Sequence, residues 1–102
     1  MAKSKLPILL PAAKGDVKKG YRWYEEQKPG LGEAFLERVE ECLQAIARSP
    51  KAFQVVTKDT RRAIVWQFPY MIFYRIENKG IYIYSVFHTS QDPRKWMERL
   101  AE

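Results

Sequence analysis

The sequence predicts an α+β fold of order β-α-α-β-β-β with a short C-terminal helix, in which a helical hairpin packs on one face of a curved antiparallel sheet. Three observations predict it. Apolar residues recur at helical spacing between Ala13 and Ile46. They alternate at period two between Arg62 and Phe87. A Pro-Gly-x-Gly segment, Pro29 to Gly32, joins the two helical stripes.

Each element has its own signal. Leu6 to Leu10 is a short apolar run, read as a first strand stopped by Pro11. Pro11 suits the first turn of a helix, where a missing N–H costs nothing. Ala13, Val17, Tyr21 and Tyr24 then form one apolar stripe, with Lys14, Lys18, Arg22 and Glu25 around it. Gly20 weakens this helix and suggests close approach of another backbone. Pro29 and Gly30 end it. Phe35, Val39, Cys42, Leu43 and Ile46 define a second stripe, with Glu33, Glu37, Glu40 and Glu41 on the other side and Ser49-Pro50 closing the helix. Trp23 lies off the first stripe and is expected either to cover the hairpin's edge or to stand exposed as a contact residue.

The period then changes. Arg62 to Phe68 reads as a strand broken at Pro69, and Tyr70 to Ile76 as a second strand, dense in aromatic and β-branched residues. Glu77 to Gly80 is a hairpin turn, with Gly80 able to take positive φ. Ile81 to Phe87 is a third strand. Asp92 caps a last helix with Pro93 at its first position, and Trp96 and Leu100 are expected to seat it. Strict alternation puts Met71, Phe73 and Arg75 on one sheet face and Tyr70, Ile72, Tyr74 and Ile76 on the other. It groups Tyr82, Tyr84, Val86 and His88 on a single face.

The chain of 102 residues suits one domain, residues 1–102, with 46% hydrophobic residues to build a core. Its formal charge is +6, and positions 51 to 102 hold 9 basic and 5 acidic residues, a net +4. That balance points to an acidic partner, whether nucleic acid or protein, or to ordinary solubility charge. Arg61, Arg62, Arg75 and Arg94 are candidates for a basic patch, since the guanidinium fork binds phosphate or carboxylate bidentately. His88 is the one histidine and the candidate acid or base. Cys42 sits on an apolar stripe and reads as core. One His and one Cys in distant segments give no metal-ligand spacing, so no metal or cofactor is expected. No apolar run approaches the roughly 20 residues of a membrane span, and the basic-then-apolar start has no small-residue cleavage site. A cytoplasmic protein with no membrane or small-molecule partner is expected.

Three blocks, read together, resemble the RelE/ParE superfamily of bacterial toxins, also known as plasmid stabilization proteins. They are WYEEQKPGLGEAFLERV at residues 23–39, FPYMIFYR at 68–75 and VFHTSQDPRKW at 86–96. The resemblance implies the toxin of a type II toxin–antitoxin module, neutralised by a cognate antitoxin whose flexible segment wraps it. RelE-like members cut mRNA in the ribosome; ParE-like members act on DNA gyrase and are not nucleases. Met71 stands where several nuclease members place a catalytic Arg, which moves the chain toward the ParE-like branch. His88 and Arg75 are the catalytic candidates only if the chain is a nuclease. Gln91 stands where related chains often carry Arg, and Leu10-Pro11 lacks the Ser or Thr cap frequent among them. Arg61, Arg62, Arg75 and Arg94 are candidates for the target or nucleic acid. Trp23, Arg61 and Arg62 are candidates for the antitoxin. A ribosome-dependent endoribonuclease and a non-toxic binding protein of the same fold are the alternatives.

Overall fold

The computed structural model describes residues 6–78 and 80–101, except the side chains of Trp96, Leu100 and Ala101. The expected seating of the last helix by Trp96 and Leu100 therefore lies outside the described residues. The elements are β1 (Ile8–Leu9), α1 (Pro11–Gln27), α2 (Leu31–Arg48), β2 (Gln54–Thr57), β3 (Thr60–Ile64), β4 (Tyr70–Glu77), β5 (Gly80–His88) and α3 (Pro93–Ala101). They form one five-stranded sheet in the order β1-β5-β4-β3-β2.

Both helical stripes face the sheet as the spacing predicts. Ala13, Tyr24, Phe35, Val39, Cys42 and Ile46 are buried against Ile72, Tyr74, Ile81, Ile83 and Val86. Gly20 is buried too, but a side chain fills its gap, not a backbone. A Cβ there would lie 2.8 Å from the Phe35 ring. The hairpin joint has a capping mechanism that the spacing does not reveal. Gly30 takes a left-handed φ of 92°. The Glu25 carboxylate of α1 accepts the N–H of Gly30 at 3.1 Å and of Gly32 at 3.0 Å. One helix thus supplies the anion that the next helix's N-terminus favours.

The sheet differs from the expected one in four places, the fourth in β5. β1 pairs in parallel with β5, so the sheet is mixed; the rest of the chain supplies the long crossover that parallel pairing needs. β2 is an additional edge strand, paired with β3 through a register shift between Val55 and Thr57. β3 ends at Ile64, before the expected Phe68, because Val65 N–H already bonds to Tyr70 O at 3.0 Å and the chain must reverse between them. Gln67 makes that turn with φ 68°. In the β4–β5 turn it is Asn78, with φ 53°, that takes the left-handed conformation, a role Asn tolerates.

The largest correction concerns β5. Phe73 pairs with Ser85 but Tyr74 pairs with Ile83, so Tyr84 is an inserted bulge residue. Alternation restarts after it. Ile81, Ile83 and Val86 join the helix-side core, whereas Tyr84 and Phe87 pack with Met71 and Phe73 on the other face. The expected single set of Tyr82, Tyr84, Val86 and His88 is therefore split, with Val86 and His88 turned to the helix side.

Candidate functional site

That change of phase delivers His88 to a cleft of about 690 Å³ between α1, the end of β5 and α3. Tyr70 lies opposite His88 in register, and their rings meet edge to face at 5.2 Å. Burial raises the Tyr70 hydroxyl above its ordinary range, with smaller contributions from Tyr24 and Asp16. His88 Nδ1 accepts the backbone N–H of Ser90 at 3.0 Å, and Ser90 Oγ lies 2.7 Å from it. A ring nitrogen that accepts an N–H carries no proton, so the neutral imidazole here holds its hydrogen on Nε2.

Asp16 forms the cleft's inner wall. β1 covers β5 only as far as Ile83, so the Val86 N–H needs another partner. Asp16 Oδ2 accepts it at 2.9 Å. The same carboxylate takes both guanidinium arms of Arg99 from α3, at 2.6 Å and 3.2 Å. Arg99 also lies 4.6 Å over the Phe87 ring. Asp16 thus ties α1, the edge of β5 and α3 together. Lys19 of α1 and Lys95 and Glu98 of α3 add to the charged lining.

Trp23 stands at this cleft, 55% exposed, with its ring edge-on to Tyr24 at 5.1 Å. Of the two positions expected for a residue off the stripe, cover for the hairpin's edge or exposure, the indole takes the exposed one. An exposed indole on a rigid helix, beside basic side chains, is the form a binding anchor takes.

The four candidate arginines do not come together. Arg61 pairs with Tyr74 and points to the helix side, where it donates to the carbonyls of Lys51 at 3.1 Å and Phe53 at 2.7 Å. Arg62 and Arg75 share the opposite face. Arg62 reaches Gln54 and lies 3.9 Å from Met71 Sδ. Arg75 donates to Thr60 Oγ1 at 2.9 Å and covers the Tyr84 ring at 4.6 Å. Arg94 is on α3, paired with Asp92 at 2.7 Å; that pairing holds the Asp92 carboxyl below its ordinary value. The N–H of Arg94 also bonds to Asp92 Oδ1, the cap the sequence predicts for α3.

His88 and Arg75 are likewise apart, on opposite faces and at opposite ends of the β4–β5 pair. Among the described residues no three His, Cys, Asp or Glu side chains cluster as a metal site would require. No described helix is long and apolar enough to cross a membrane. Sequence reasoning missed Asp16, Lys19, Tyr70 and Lys95 as cleft residues. Asp16 had one signal: it is the only acid among Lys14, Lys18, Lys19 and Arg22 on α1.

Residues 8–93 match the family described as the ParE toxin of the type II toxin–antitoxin system parDE. Among solved structures, a chain of the chromosomal ParDE toxin–antitoxin system from P. aeruginosa superposes with a TM-score of 0.75 at 13% identity, covering 85% of this chain and 98% of that one. At that identity the likeness is one of fold. No curated protein matches.

Proposed function

The chain belongs to the ParE toxin family of type II toxin–antitoxin systems, and from that premise we propose that it stops bacterial growth by binding a protein target in the cytoplasm, with DNA gyrase the candidate. The observation that carries this reading is the separation of His88 from Arg75. His88 pairs with Tyr70 and Arg75 lies five residues further along β4, roughly 17 Å at strand rise and on the other face. A proton-transfer pair has to converge within about 3 Å of one substrate atom. Met71, on the open face, cannot stabilise a developing phosphate charge.

A cognate antitoxin neutralises the toxin by docking an acidic, apolar segment at the cleft. Trp23 supports this as the apolar anchor, and Lys19 and Lys95 as charge partners. Asp16 would not repel such a segment strongly, since Arg99 already neutralises it. The test is induced expression in bacteria with parallel readouts of translation and gyrase supercoiling. Supercoiling is expected to fall while protein synthesis continues. Codon-dependent mRNA cleavage, lost in His88→Ala or Arg75→Ala, would refute the reading. It would favour the ribosome-dependent nuclease, for which the placement of Arg62 beside Met71 is the supporting observation.

A further inference from the structure

On the other flank of α1 from the cleft runs a second groove, of about 580 Å³. Its floor is aliphatic: Leu9 of β1, Val17 of α1, and Leu36, Val39 and Leu43 of α2. The charged residues lining it are Glu37, Glu40 and Glu41, all from α2. This is an acidic surface on a chain of formal charge +6. Glu41 is already paired with Arg38 at 2.8 Å, but Glu37 and Glu40 stand exposed beside the apolar floor.

The α1 side of the groove has the opposite sign. Lys14 is one turn before Val17 and Lys18 is next to it, and both are exposed. With 100° per residue they project from the flank that faces α2, whereas Asp16, Lys19 and Trp23 project toward the cleft. The groove therefore has a basic bank on α1, an acidic bank on α2 and an apolar floor. A half-turn about an axis through the floor exchanges the banks. It sets the lysines of one copy against the glutamates of the other and the two aliphatic floors face to face. A surface that is its own complement under a half-turn is what an isologous dimer needs.

We infer that this groove is the interface of a homodimer formed through the α1–α2 hairpins. An acidic partner segment, of the kind the cleft suits, is disfavoured here by Glu37 and Glu40. A floor of five side chains belongs to the small, weak class of interface, so the dissociation constant is expected on the order of 10–100 μM. The cleft stays open in such a dimer, and either proposal can fail without the other.

Sedimentation velocity from 5 to about 500 μM protein (at low salt, where rim charges are least screened) tests it. The wild type is expected to shift from monomer to dimer. Lys14→Glu with Lys18→Glu makes both banks acidic; Glu37→Lys with Glu40→Lys makes both basic. Each variant alone is expected to stay monomeric, with at least a tenfold loss of association. An equimolar mixture of the two is expected to form a one-to-one dimer. All four positions are exposed, so the fold is expected to survive, and circular dichroism checks it. A wild type that stays monomeric throughout, a dimer unchanged in either variant, or a mixture that does not associate would overturn the inference.

Discussion

Replacing Asp16 by Ala tests whether one carboxylate organises the cleft wall. The loss has two parts. The Val86 N–H, on a residue 2% exposed, would lose its acceptor at 2.9 Å; an unsatisfied buried N–H costs about 1–3 kcal/mol. The ion pair with Arg99 is neither exposed nor fully enclosed, with side chains 14% and 24% exposed. Its loss should fall between the surface and buried cases, about 1–2 kcal/mol. Asp16→Ala is therefore expected to destabilise the protein by about 2–5 kcal/mol. Asp16→Asn keeps an acceptor for Val86 and loses only the charge, so it should cost about 1–2 kcal/mol. Arg99→Met keeps apolar cover over Phe87, and a double-mutant cycle with Asp16→Asn should give a coupling of about 1 kcal/mol. Urea unfolding measures the four variants beside the wild type, and hydrogen exchange should show α3 and the Val86 amide opening first. Asp16→Ala within about 0.5 kcal/mol of wild type, or a coupling below about 0.3 kcal/mol, would refute the assignment of Asp16 as the tie between α1, β5 and α3.

Other outcomes follow from the same geometry. Phe35→Ala should cost about 3–5 kcal/mol, because the ring is fully buried among Tyr24, Phe68 and Tyr70; a loss below about 1 kcal/mol in thermal or urea unfolding would mean a misassigned core. Gly20→Ala should destabilise despite the better helix propensity of Ala, since its Cβ would meet the Phe35 ring at 2.8 Å; a higher Tm would show that the ring yields easily. Trp23→Ala should weaken antitoxin binding by more than about 2 kcal/mol in calorimetry while leaving unfolding unchanged; wild-type affinity would remove Trp23 from the interface. Burial pushes the Cys42 thiol up to about 11 and the Tyr74 hydroxyl up to about 12. The unfolded chain releases those protons first, at about pH 9 and 10, so stability should be intact below pH 9 and fall as pH rises toward 12. Unfolding midpoints across that range, with Cys42→Ala and Tyr74→Phe as controls, measure it; a flat profile would contradict the burial.

How much of this was legible follows from the range over which each signal acts. The α1 and α2 stripes and the Asp92-Pro93 start of α3 depend on neighbours within a turn or two, and they were readable. So were the faces of β4, where Met71, Phe73 and Arg75 alternate with Ile72 and Tyr74 as expected. β2 was not, because Val55 and Val56 are adjacent apolar residues in a four-residue strand whose bulge destroys its period. Trp23 was legible as a candidate because it falls off a regular stripe. Asp16 was not, because its partners lie 70 and 83 residues away. Its one local signal, a lone acid in a basic stretch, does not tell an inward carboxylate from one that faces water.

The inserted Tyr84 works as a half-period offset in the readout of β5. Every residue after it changes sides relative to a count made from the strand's start. Matching relatives residue by residue without the insertion would pair a helix-side position of one chain with an open-face position of another, although the letters agree. It also makes the insertion a separable variable. Deleting Tyr84 would restore unbroken alternation from Ile83 to Ser85 and leave Phe87 and His88 on the faces they now occupy, so it tests the bulge apart from the cleft.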